Sequence, residues 1–457
     1  MGPIFQLYHR WGIFRLKKFK LDPQCLLSCN CHTGPSGLDV NNQKRISSNQ
    51  VTKKSKKGKL LCQQVLDSFD QQYNQELGPL WPLAREVLLD PHSWQYAVML
   101  NRFSTVTDIT QTLQSQGFST FLPQVDAPGL VYNGPSTVSN LKNQAGNDSL
   151  LQTHCISKCP PNDSHDQLGS TSHMFVPEVP SPSVCFPSTS LQCYIHTYPL
   201  RFPSQLHIPG QLKQYYLLNA ASLLPVLALK VRDGEKILDL CSAPGGKALV
   251  IMQCATPELL CCNEPDPHRQ KRLAKTLESF LPQSVTNRVI LSAQDGRYFG
   301  HSEVGKYDKV LVDAPCSNDR SWLYSQNNQQ GEQRLKERAK LPALQAQLLK
   351  SALSAVRPGG VVVYSTCTLS SSENYSVVKT VLKECPEAEP EDLWEELAVS
   401  TSKYFTFFNS GGHTLHDWPL LQQNIMSCNH HRLGILVVPQ PGKTWGPMFL
   451  SRIKKKQ

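Results

Sequence analysis

The sequence predicts an α/β protein built around a doubly wound, mostly parallel sheet. From about residue 205 onward, short apolar runs alternate with helical segments, the pattern of parallel strands joined by crossover helices. A glycine-rich turn follows the first of these runs, and two cysteines follow later ones, each where a strand ends. In open α/β sheets the carboxyl ends of the strands form the ligand-binding edge. We therefore expect the functional site at that edge.

The predicted strands of this sheet are short, apolar and separated by helical segments. They are Lys236–Leu240, Leu259–Asn263, Val289–Ser292, Lys309–Val312, Val361–Ser365 and Leu433–Val438. The run from Leu217 to Leu229 is predicted as a buried helix that leads into the first strand. Residues 191–200 show strand-like alternation, and we place the main domain at 191–457.

A small helical region, residues 60–118, is predicted before the main domain. Leu61, Val65, Leu66 and Phe69 recur with helical spacing. The run SWQYAVMLNRF, which follows Asp90-Pro91, is predicted as a second helix. A third is predicted from Thr107 to Gln116, ended by Gly117.

Two segments lack regular apolar spacing and are predicted to be insertions. Residues 119–190 carry only Lys142 and Lys158 as basic residues and are rich in Ser, Pro, Asn and Gly, a composition typical of disorder. Residues 409–430 are rich in His, Asn and Gln. We predict a largely disordered loop for the first and a surface insertion for the second.

The positive charge of the chain is concentrated at its start. The first 60 residues hold 12 Lys and Arg against two acids, which accounts for the whole net charge of +10. Residues 1–21 contain no acid and interleave basic with apolar residues, as mitochondrial targeting segments do; a basic tail or an RNA-contacting arm is the alternative. We predict a leader and linker over 1–59. Because the remainder is neutral, a nucleic-acid site there must be a local basic patch.

Composition excludes two classes of protein. No apolar run reaches the roughly 18 residues that a membrane helix needs. The 16 cysteines are too sparse for a secreted disulfide scaffold, so we expect a reducing compartment. Metal binding is not expected, because Cys25, Cys29 and Cys31 and the pair Cys155 and Cys159 lack the paired CxxC pattern of structural zinc sites.

The string LDLCSAPGGK is a strand that runs into a tight turn and then a helix. Gly245 and Gly246 let the backbone approach a ligand, and a helix N-terminus favours a carboxylate or phosphate. The next strand ends at Glu264, where an acid can bind ribose hydroxyls, and the following one at Asp295, where an acid can take an adenine amino group. This succession favours an S-adenosyl-methionine site over ordinary surface acids.

Two cysteines stand where the chain leaves the sheet. Cys316 follows Asp313-Ala314-Pro315, and Cys367 lies in Ser-Thr-Cys-Thr after an apolar strand. Most cysteines are small buried hydrophobes, but a thiolate at a strand end can act as a nucleophile, with Lys247 as a nearby cation that lowers its pKa. Carbon 5 of a pyrimidine accepts a methyl group once a thiolate has added to carbon 6 and an acid stabilises the charge that develops. The pattern therefore indicates covalent chemistry on a nucleobase.

The motifs together resemble those of a known family. DLCSAPGGK, NEPD, DGR, VDAPCSNDR, RPGGVVVYSTCTLS and the final WGPMF resemble the Sun-domain family of RNA cytosine-5 methyltransferases, over about residues 205–457 and the helices of 60–118. The resemblance implies a Rossmann-like methyltransferase fold and S-adenosyl-methionine as the cofactor. SFDQQYNQELG and SWQYAVMLNRF resemble most the branch that modifies the wobble cytosine of mitochondrial methionine tRNA.

The family resemblance also implies roles for individual residues. Cys367 would be the nucleophile and Cys316 the thiol that assists product release. Asp313 would bind the cytosine edge and touch the cofactor, and Lys247 would contact the cofactor or the target base. The residues implied to hold the cofactor are Cys241, Ser242, Ala243, Pro244, Gly245, Gly246, Lys247, Glu264, Asp295 and Asp313.

The expected partner is a tRNA, bound through its anticodon stem-loop in the mitochondrial matrix. No separate RNA-binding domain is evident in the sequence, no protein partner is required by it, and a monomer is expected. Two alternatives stay open: a mitochondrial small-subunit ribosomal RNA cytosine-5 methyltransferase, and a catalytically silent RNA-binding assembly factor. Intact Cys367, Cys316 and Asp313 argue against the silent protein.

Overall fold

The computed structural model describes residues 60–121, 191–325, 328–408 and 433–457. All of these belong to one compact unit. The predicted leader over 1–59, nearly all of the predicted 119–190 insertion and the 409–430 insertion lie outside the described residues, as do Cys25, Cys29, Cys31, Cys155 and Cys159. The division into domains stays a prediction. Within the described ranges, no helix combines the length and apolarity needed to span a bilayer.

Strands and helices alternate along most of the described chain. The strands are β1 (Leu60–Leu61), β2 (Ala97–Leu100), β3 (Ser119–Thr120), β4 (Cys193–Ile195), β5 (Tyr215–Leu218), β6 (Lys236–Asp239), β7 (Leu259–Asn263), β8 (Val289–Ser292), β9 (Tyr307–Asp313), β10 (Tyr324–Ser325), β11 (Val356–Thr366), β12 (Ala388–Glu391), β13 (Phe407–Phe408), β14 (Ile435–Val437) and β15 (Met448–Lys455). The helices are α1 (Gln63–Leu77), α2 (Leu80–Leu89), α3 (Thr107–Ser115), α4 (Leu224–Leu229), α5 (Gly246–Cys254), α6 (Pro267–Phe280), α7 (Gln283–Thr286), α8 (Phe299–Ser302), α9 (Asp319–Trp322), α10 (Asn328–Arg338), α11 (Leu341–Ala355) and α12 (Tyr375–Glu384).

The main sheet confirms the predicted doubly wound α/β fold. Its strand order is β13-β14-β15-β11-β9-β6-β7-β8, and β12 also pairs with β15. The strands from β11 to β8 are parallel, and β15, β14, β13 and β12 are antiparallel. β7 and β9 flank β6 on opposite sides, so the strand order reverses beside β6 and opens a crevice at the carboxyl ends.

The antiparallel strand β15 is one that the sequence did not predict. It is central, between β11 and β14, and its side chains are buried as far as Ile453. Its low hydropathy comes from basic residues, yet Arg452 is buried and pairs with Glu391 at 2.6 Å and with Glu396 at 2.9 Å. The ion pairs offset the cost of burying the guanidinium, and they join residues about 60 positions apart in the chain.

The prediction of a helix over SWQYAVMLNRF is wrong. Residues 97–100 form β2, the inner strand of a small antiparallel sheet of order β3-β4-β2-β5. All four side chains of β2 are buried, so the segment shows no strand alternation, and its hydrogen bonds come from two partner strands distant in sequence. Ser119 and Thr120, at the start of the predicted insertion, pair with β4 as β3.

Other sequence predictions hold with altered ends. The helix predicted from Thr107 is α3, and the predicted strand in 191–200 is β4. The run Leu217–Leu229 is divided: its first two residues belong to β5, a 3-10 turn follows over Ala220–Leu223, and only then does α4 begin. Asn219 produces this change of direction, because its side chain accepts a hydrogen bond from the Ala221 N–H at 3.0 Å.

The N-terminal helices share a hydrophobic core with the main sheet. Phe69, Tyr73 and Trp81 of α1 and α2 belong to the same buried cluster as Val312 and Tyr364 of β9 and β11. Asp70 fixes the angle between the two helices by accepting hydrogen bonds from Trp81 Nε1 at 2.9 Å and Arg85 Nε at 2.8 Å. The helices are thus packed on the strands that carry the predicted site.

Candidate active site

The two predicted thiols lie together at the carboxyl edge of the sheet. β9 and β11 are parallel neighbours, with Asp313 opposite Ser365, so the loops that follow them leave the sheet side by side. The sulfur atoms of Cys316 and Cys367 are 3.2 Å apart, and the backbone N–H of Cys367 lies 3.3 Å from the Cys316 sulfur. Both residues are partly exposed. The pair therefore lies at the surface of the crevice and not in the core of the sheet.

The pKa of the Cys316 thiol is raised in this contact. Its hydrogen bond to Cys367, together with burial of its sulfur, raises the pKa of Cys316 well above its ordinary value. The Cys316 side chain is consequently a neutral thiol at neutral pH and can donate its hydrogen to the Cys367 sulfur.

Asp313 and Lys247 form an ion pair beside the thiols. Lys247 Nζ donates to Asp313 Oδ2 at 2.9 Å, and the Ser365 hydroxyl donates to Asp313 Oδ1 at 3.0 Å. Burial opposes charge on Lys247, but the adjacent Asp313 carboxylate outweighs burial and raises the pKa of the lysine. Lys247 is thus a fixed cation, and Asp313 is held in one orientation.

In the turn after β6, the backbone of two glycines lies very close to residues of α6 and β5. Gly245 has φ +106°, and a Cβ there would lie 3.0 Å from Leu273 of α6. A Cβ on Gly246 would lie 3.2 Å from the Tyr216 hydroxyl. The turn is therefore wedged between α6 and β5, and the N-terminus of α5 faces the crevice.

Buried polar atoms around this turn fit a polar, partly cationic cofactor. Both carboxylate oxygens of Asp239 and the hydroxyl of Ser242 are buried, and among the described residues they make no hydrogen bond of full geometry; Ser242 and the backbone of Cys241 offset the burial of Asp239 only in part. Burial raises the pKa of Asp239 to about 7. Such groups are costly to bury alone, so a bound ligand that pairs with them is expected.

Asp239 is a site residue that the sequence analysis missed. It lies inside the quoted LDLCSAPGGK string, as the last residue of β6. An acid within an otherwise apolar strand is the signal that could have revealed it, because such a residue is buried by its neighbours.

Glu264 and Asp295 are both at the sheet edge, as predicted from the strand ends. Glu264 is buried, accepts from the Asp266 N–H at 3.1 Å, and lies 3.2 Å from the Arg269 guanidinium. Asp295 accepts hydrogen bonds from Arg297 at 2.6 and 3.0 Å, and this contact lowers the pKa of Asp295. The structure thus brings Asp295 to the edge but turns its carboxylate toward Arg297.

A cavity of about 360 Å³ lies against the glycine turn, between β5 and α6. Tyr215, Tyr216, Lys213 and Lys275 are among its lining residues. Burial raises the pKa of Tyr216 and lowers that of Lys213. Two aromatic rings and two lysines are groups that contact bases and phosphates of single-stranded RNA.

The C-terminal WGPMF motif packs behind the Cys316 loop. Arg320 donates hydrogen bonds to the carbonyl oxygens of Thr444 and Gly446, and its guanidinium stacks on Trp94 at 4.7 Å. Burial lowers the pKa of Arg320 to about 10, so it stays charged at neutral pH. These contacts join the motif to the loop. The sequence did not indicate this contact, because the two segments are far apart in the chain.

Comparisons with known proteins agree on one family. The model of the family described as 16S rRNA methyltransferase RsmB/F matches residues 226–419. A Danio rerio tRNA (cytosine(34)-C(5))-methyltransferase, mitochondrial, is 46% identical over 94% of this chain and 96% of its own length. A Xenopus tropicalis 5-cytosine rRNA methyltransferase NSUN4 is 33% identical over 86% of this chain and 91% of its own. The crystal structure of a Pyrococcus horikoshii methyltransferase homologue shares the fold, with TM-score 0.51 and 20% identity over 86% of this chain and 98% of that one.

Proposed function

The chain belongs to the RsmB/F, or Sun-domain, family of S-adenosyl-methionine-dependent RNA cytosine-5 methyltransferases, and on this premise we propose that it methylates cytosine 34 of mitochondrial methionine tRNA. The substrate assignment rests on a difference in sequence identity. The chain is 46% identical to a relative named for cytosine 34 of tRNA and 33% identical to one named for rRNA. Methionine as the tRNA identity comes from the motif resemblance. Intact thiols and the Asp313–Lys247 pair support an active enzyme rather than a silent scaffold.

In the proposed reaction, Cys367 provides the nucleophile. Its thiolate forms a bond to carbon 6 of the cytosine, and the electron pair of the 5,6 double bond makes carbon 5 nucleophilic. Asp313 accepts a hydrogen bond from the exocyclic amine, and Lys247 holds that carboxylate in place. S-adenosyl-methionine supplies the methyl group that carbon 5 receives. The candidate cofactor residues are the 241–247 turn, Glu264, Asp295, Asp313 and, from the structure, Asp239.

Release of the product reverses the thiol addition. A base takes the proton from carbon 5, the electron pair of that C–H bond restores the double bond, and the bond between Cys367 and carbon 6 breaks with its electrons returning to sulfur. The neutral Cys316 thiol, 3.2 Å away, donates a hydrogen bond to the departing thiolate. Cys316 thus lowers the barrier for release.

We place the protein in the mitochondrial matrix. The relatives named for tRNA are also named mitochondrial, and residues 1–21 have the acid-free, basic and apolar composition of a targeting segment. An anticodon loop presents its wobble base unpaired, which lowers the cost of bringing it into the crevice. A monomer that needs no protein partner is the simplest form consistent with this assignment.

Methyl transfer from labelled S-adenosyl-methionine tests the proposal. The RNAs are transcripts of mitochondrial methionine tRNA and mitochondrial small-subunit rRNA, and the control is the tRNA with cytosine 34 changed to uridine. Label in the tRNA that disappears with uridine 34 supports reaction, substrate and position together. Label in rRNA alone would move the substrate to the NSUN4 type, and no label with cofactor binding intact would favour a silent RNA-binding protein.

A further inference from the structure

A buried polar network lies directly behind the two thiols. Each cysteine is followed by a hydroxyl residue, and the hydroxyl oxygens of Ser317 and Thr368 lie 2.9 Å apart. Both side chains are fully buried. The two cysteine loops are therefore joined one residue beyond their sulfur atoms, at a place that substrate does not reach.

Two buried carboxylates hold the loops in a reciprocal way. Glu373, which follows Cys367 in the chain, accepts from the backbone N–H of Ser317 at 3.0 Å and from the Ser317 hydroxyl at 2.6 Å. Asp319, which follows Cys316, accepts from the backbone N–H of Leu369 at 2.7 Å and from Thr368 Oγ1 at 2.9 Å. Each loop thus provides the acid that fixes the backbone of the other, next to its cysteine.

One arginine and one tyrosine connect these carboxylates to α1 and α10. Arg338, at the end of α10, lies 3.6 Å from Glu373 and donates to the Tyr73 hydroxyl at 2.7 Å. The Tyr73 hydroxyl in turn donates to Asp319 Oδ1 at 3.1 Å, and burial raises the pKa of Tyr73 well above its ordinary value, so it keeps that proton. The Arg338 guanidinium also stacks on Phe69 of α1 at 4.5 Å.

Helix α1 contacts the Cys367 loop at two further points. The Gln72 amide donates to the Ser370 hydroxyl at 3.2 Å, and Glu76 accepts from the backbone N–H of Ser371 at 3.0 Å. These bonds join two consecutive loop residues to one face of a helix about 300 positions earlier in the chain. The N-terminal helix is therefore packed as a support for the loop and is not remote from the chemistry.

We propose that Arg338 and Tyr73 are positioning residues, which fix the separation of Cys316 and Cys367 through Glu373 and Asp319. The inference rests on the proposed function, because only addition and elimination at one base require both thiols at a set distance. Arg338 supplies the cation for two buried acids. Without it the two carboxylates repel each other or one of them takes up a proton, and either change disturbs the hydrogen bonds that hold the two loops together. A misplacement of about 1 Å at reacting groups costs about 100-fold in rate.

The test removes the charge of Arg338 and leaves its bulk. Arg338→Met keeps an unbranched apolar stem against Phe69, and Arg338→Lys restores a cation. The matched control is Lys336→Met on the same helix. The Lys336 side chain is 71% exposed, and Glu332 is its one ion-pair partner among the described residues. Tyr73→Phe is a milder variant, because it removes only the hydroxyl that connects Arg338 to Asp319. This variant can still decide the question if Arg338→Met does not fold.

The first readout needs neither RNA nor cofactor. Diamide oxidises two nearby thiols to a disulfide by taking up the two hydrogens and two electrons that they lose, so the rate of Cys316–Cys367 disulfide formation, followed by peptide mass spectrometry, reports the distance between them. We expect Arg338→Met to slow this rate about tenfold or more, Arg338→Lys to recover part of it, and Lys336→Met to match the wild type.

The second readout is methyl transfer to the RNA that the wild type modifies. We expect kcat to fall by about 10- to 100-fold in Arg338→Met, with the affinity for S-adenosyl-methionine unchanged because the glycine turn is outside the network. A folded Arg338→Met or Tyr73→Phe protein with wild-type disulfide rate would overturn the proposal. A wild type that methylates none of the RNAs would overturn the proposed function, and the disulfide rates would still decide the positioning role.

Discussion

The two thiols of the site differ in their surroundings. The sulfur atoms of Cys316 and Cys367 are in hydrogen-bond contact, and this contact together with burial raises the pKa of Cys316. Lys247, which is held by Asp313, interacts electrostatically with Cys367, so a positive charge lies close to the Cys367 sulfur. These differences support the proposed roles, with Cys367 as the nucleophile and Cys316 as the thiol that assists its departure.

Replacing Cys316 with Ala should trap the enzyme on its RNA. Without the thiol donor, release of Cys367 from carbon 6 should slow by about 100- to 1,000-fold, the usual cost of losing one donor to a developing anion. The covalent complex should then survive denaturing electrophoresis. Cys367→Ala should give neither adduct nor product while it still binds cofactor, and Cys385→Ala, at a cysteine outside the site, should resemble the wild type. Product formed by Cys316→Ala with no retained RNA would contradict this role.

Asp239 should make cofactor binding depend on pH. Its pKa is about 7 in the cofactor-free protein, so the carboxyl is roughly half protonated at neutrality, and binding of a cationic cofactor requires the carboxylate. Binding then releases a proton below pH 7, and affinity rises with pH and levels off above 7. We expect about a tenfold gain in affinity for S-adenosyl-methionine between pH 6 and 8, measured by calorimetry. Asp239→Asn should bind more weakly with no such gradient, and a gradient that survives this substitution would exclude Asp239 as its source.

The sequence motifs predict the candidate reacting residues but not the residues that hold them in place. Cys316, Cys367 and Asp313 follow apolar strands and could be predicted from motif and position alone. The roles of Asp319 and Glu373 depend on partners that are distant in the chain. Asp319, for example, accepts a hydrogen bond from Tyr73, which lies 246 positions away. A buried acid near a motif indicates that a partner exists but does not identify the partner. The network could therefore be recognised only from the structure.

At the scale of elements, the pairing of β9 with β11 is what brings the thiols together. Their apolar runs could be predicted, because strands buried on both faces are continuous in hydropathy. The same continuity misled the assignment of residues 97–100, which are buried without alternation and resembled a helix. The small sheet that they join supplies β5, and β5 with α6 forms the cavity beside the glycine turn.

This cavity predicts a measurable contribution of β5 and α6 to RNA affinity. Replacing Lys213 and Lys275 together with Ala should weaken RNA binding and lower the slope of log affinity against log salt by about 1 to 2, since each phosphate contact releases counterions. Affinity for the cofactor should not change. The matched control is Lys379→Ala with Lys383→Ala on α12, which lines no part of this cavity. Equal salt slopes for the two double variants would show that the cavity lysines contact no phosphate.

At the scale of the whole molecule, the N-terminal region and the methyltransferase sheet fold as one structure. α1 and α2 share the core of β9 and β11, and β2 and β3 pair with strands from the far side of the long segment at 122–190. Sequence analysis placed boundaries at 118 and 191 because composition changes there. The pairing of β2 with β4 crosses both boundaries, and pairing between distant segments leaves no mark on composition.

The same pairing predicts that the segment between β3 and β4 can be shortened. Ser119 pairs with Ile195 and Thr120 with Tyr194, and the Phe121 N–H donates to the Cys193 carbonyl at 2.8 Å, so the two ends are those of an antiparallel hairpin. Replacing residues 123–189 with a Gly/Asn-rich turn of about five residues leaves about nine residues between Phe121 and Cys193. The fold should be kept, because connections of this length are ordinary in compact domains. The shorter closure should stabilise the protein by up to about 2 kcal/mol in denaturant unfolding. Cofactor affinity and tRNA methylation should stay near wild type.

A second variant, with a Gly/Ser segment of the original length, separates the effect of length from that of sequence. Loss of folding in both variants would show that residues of this segment contribute to the structure. Loss of methylation alone would show that they take part in RNA recognition.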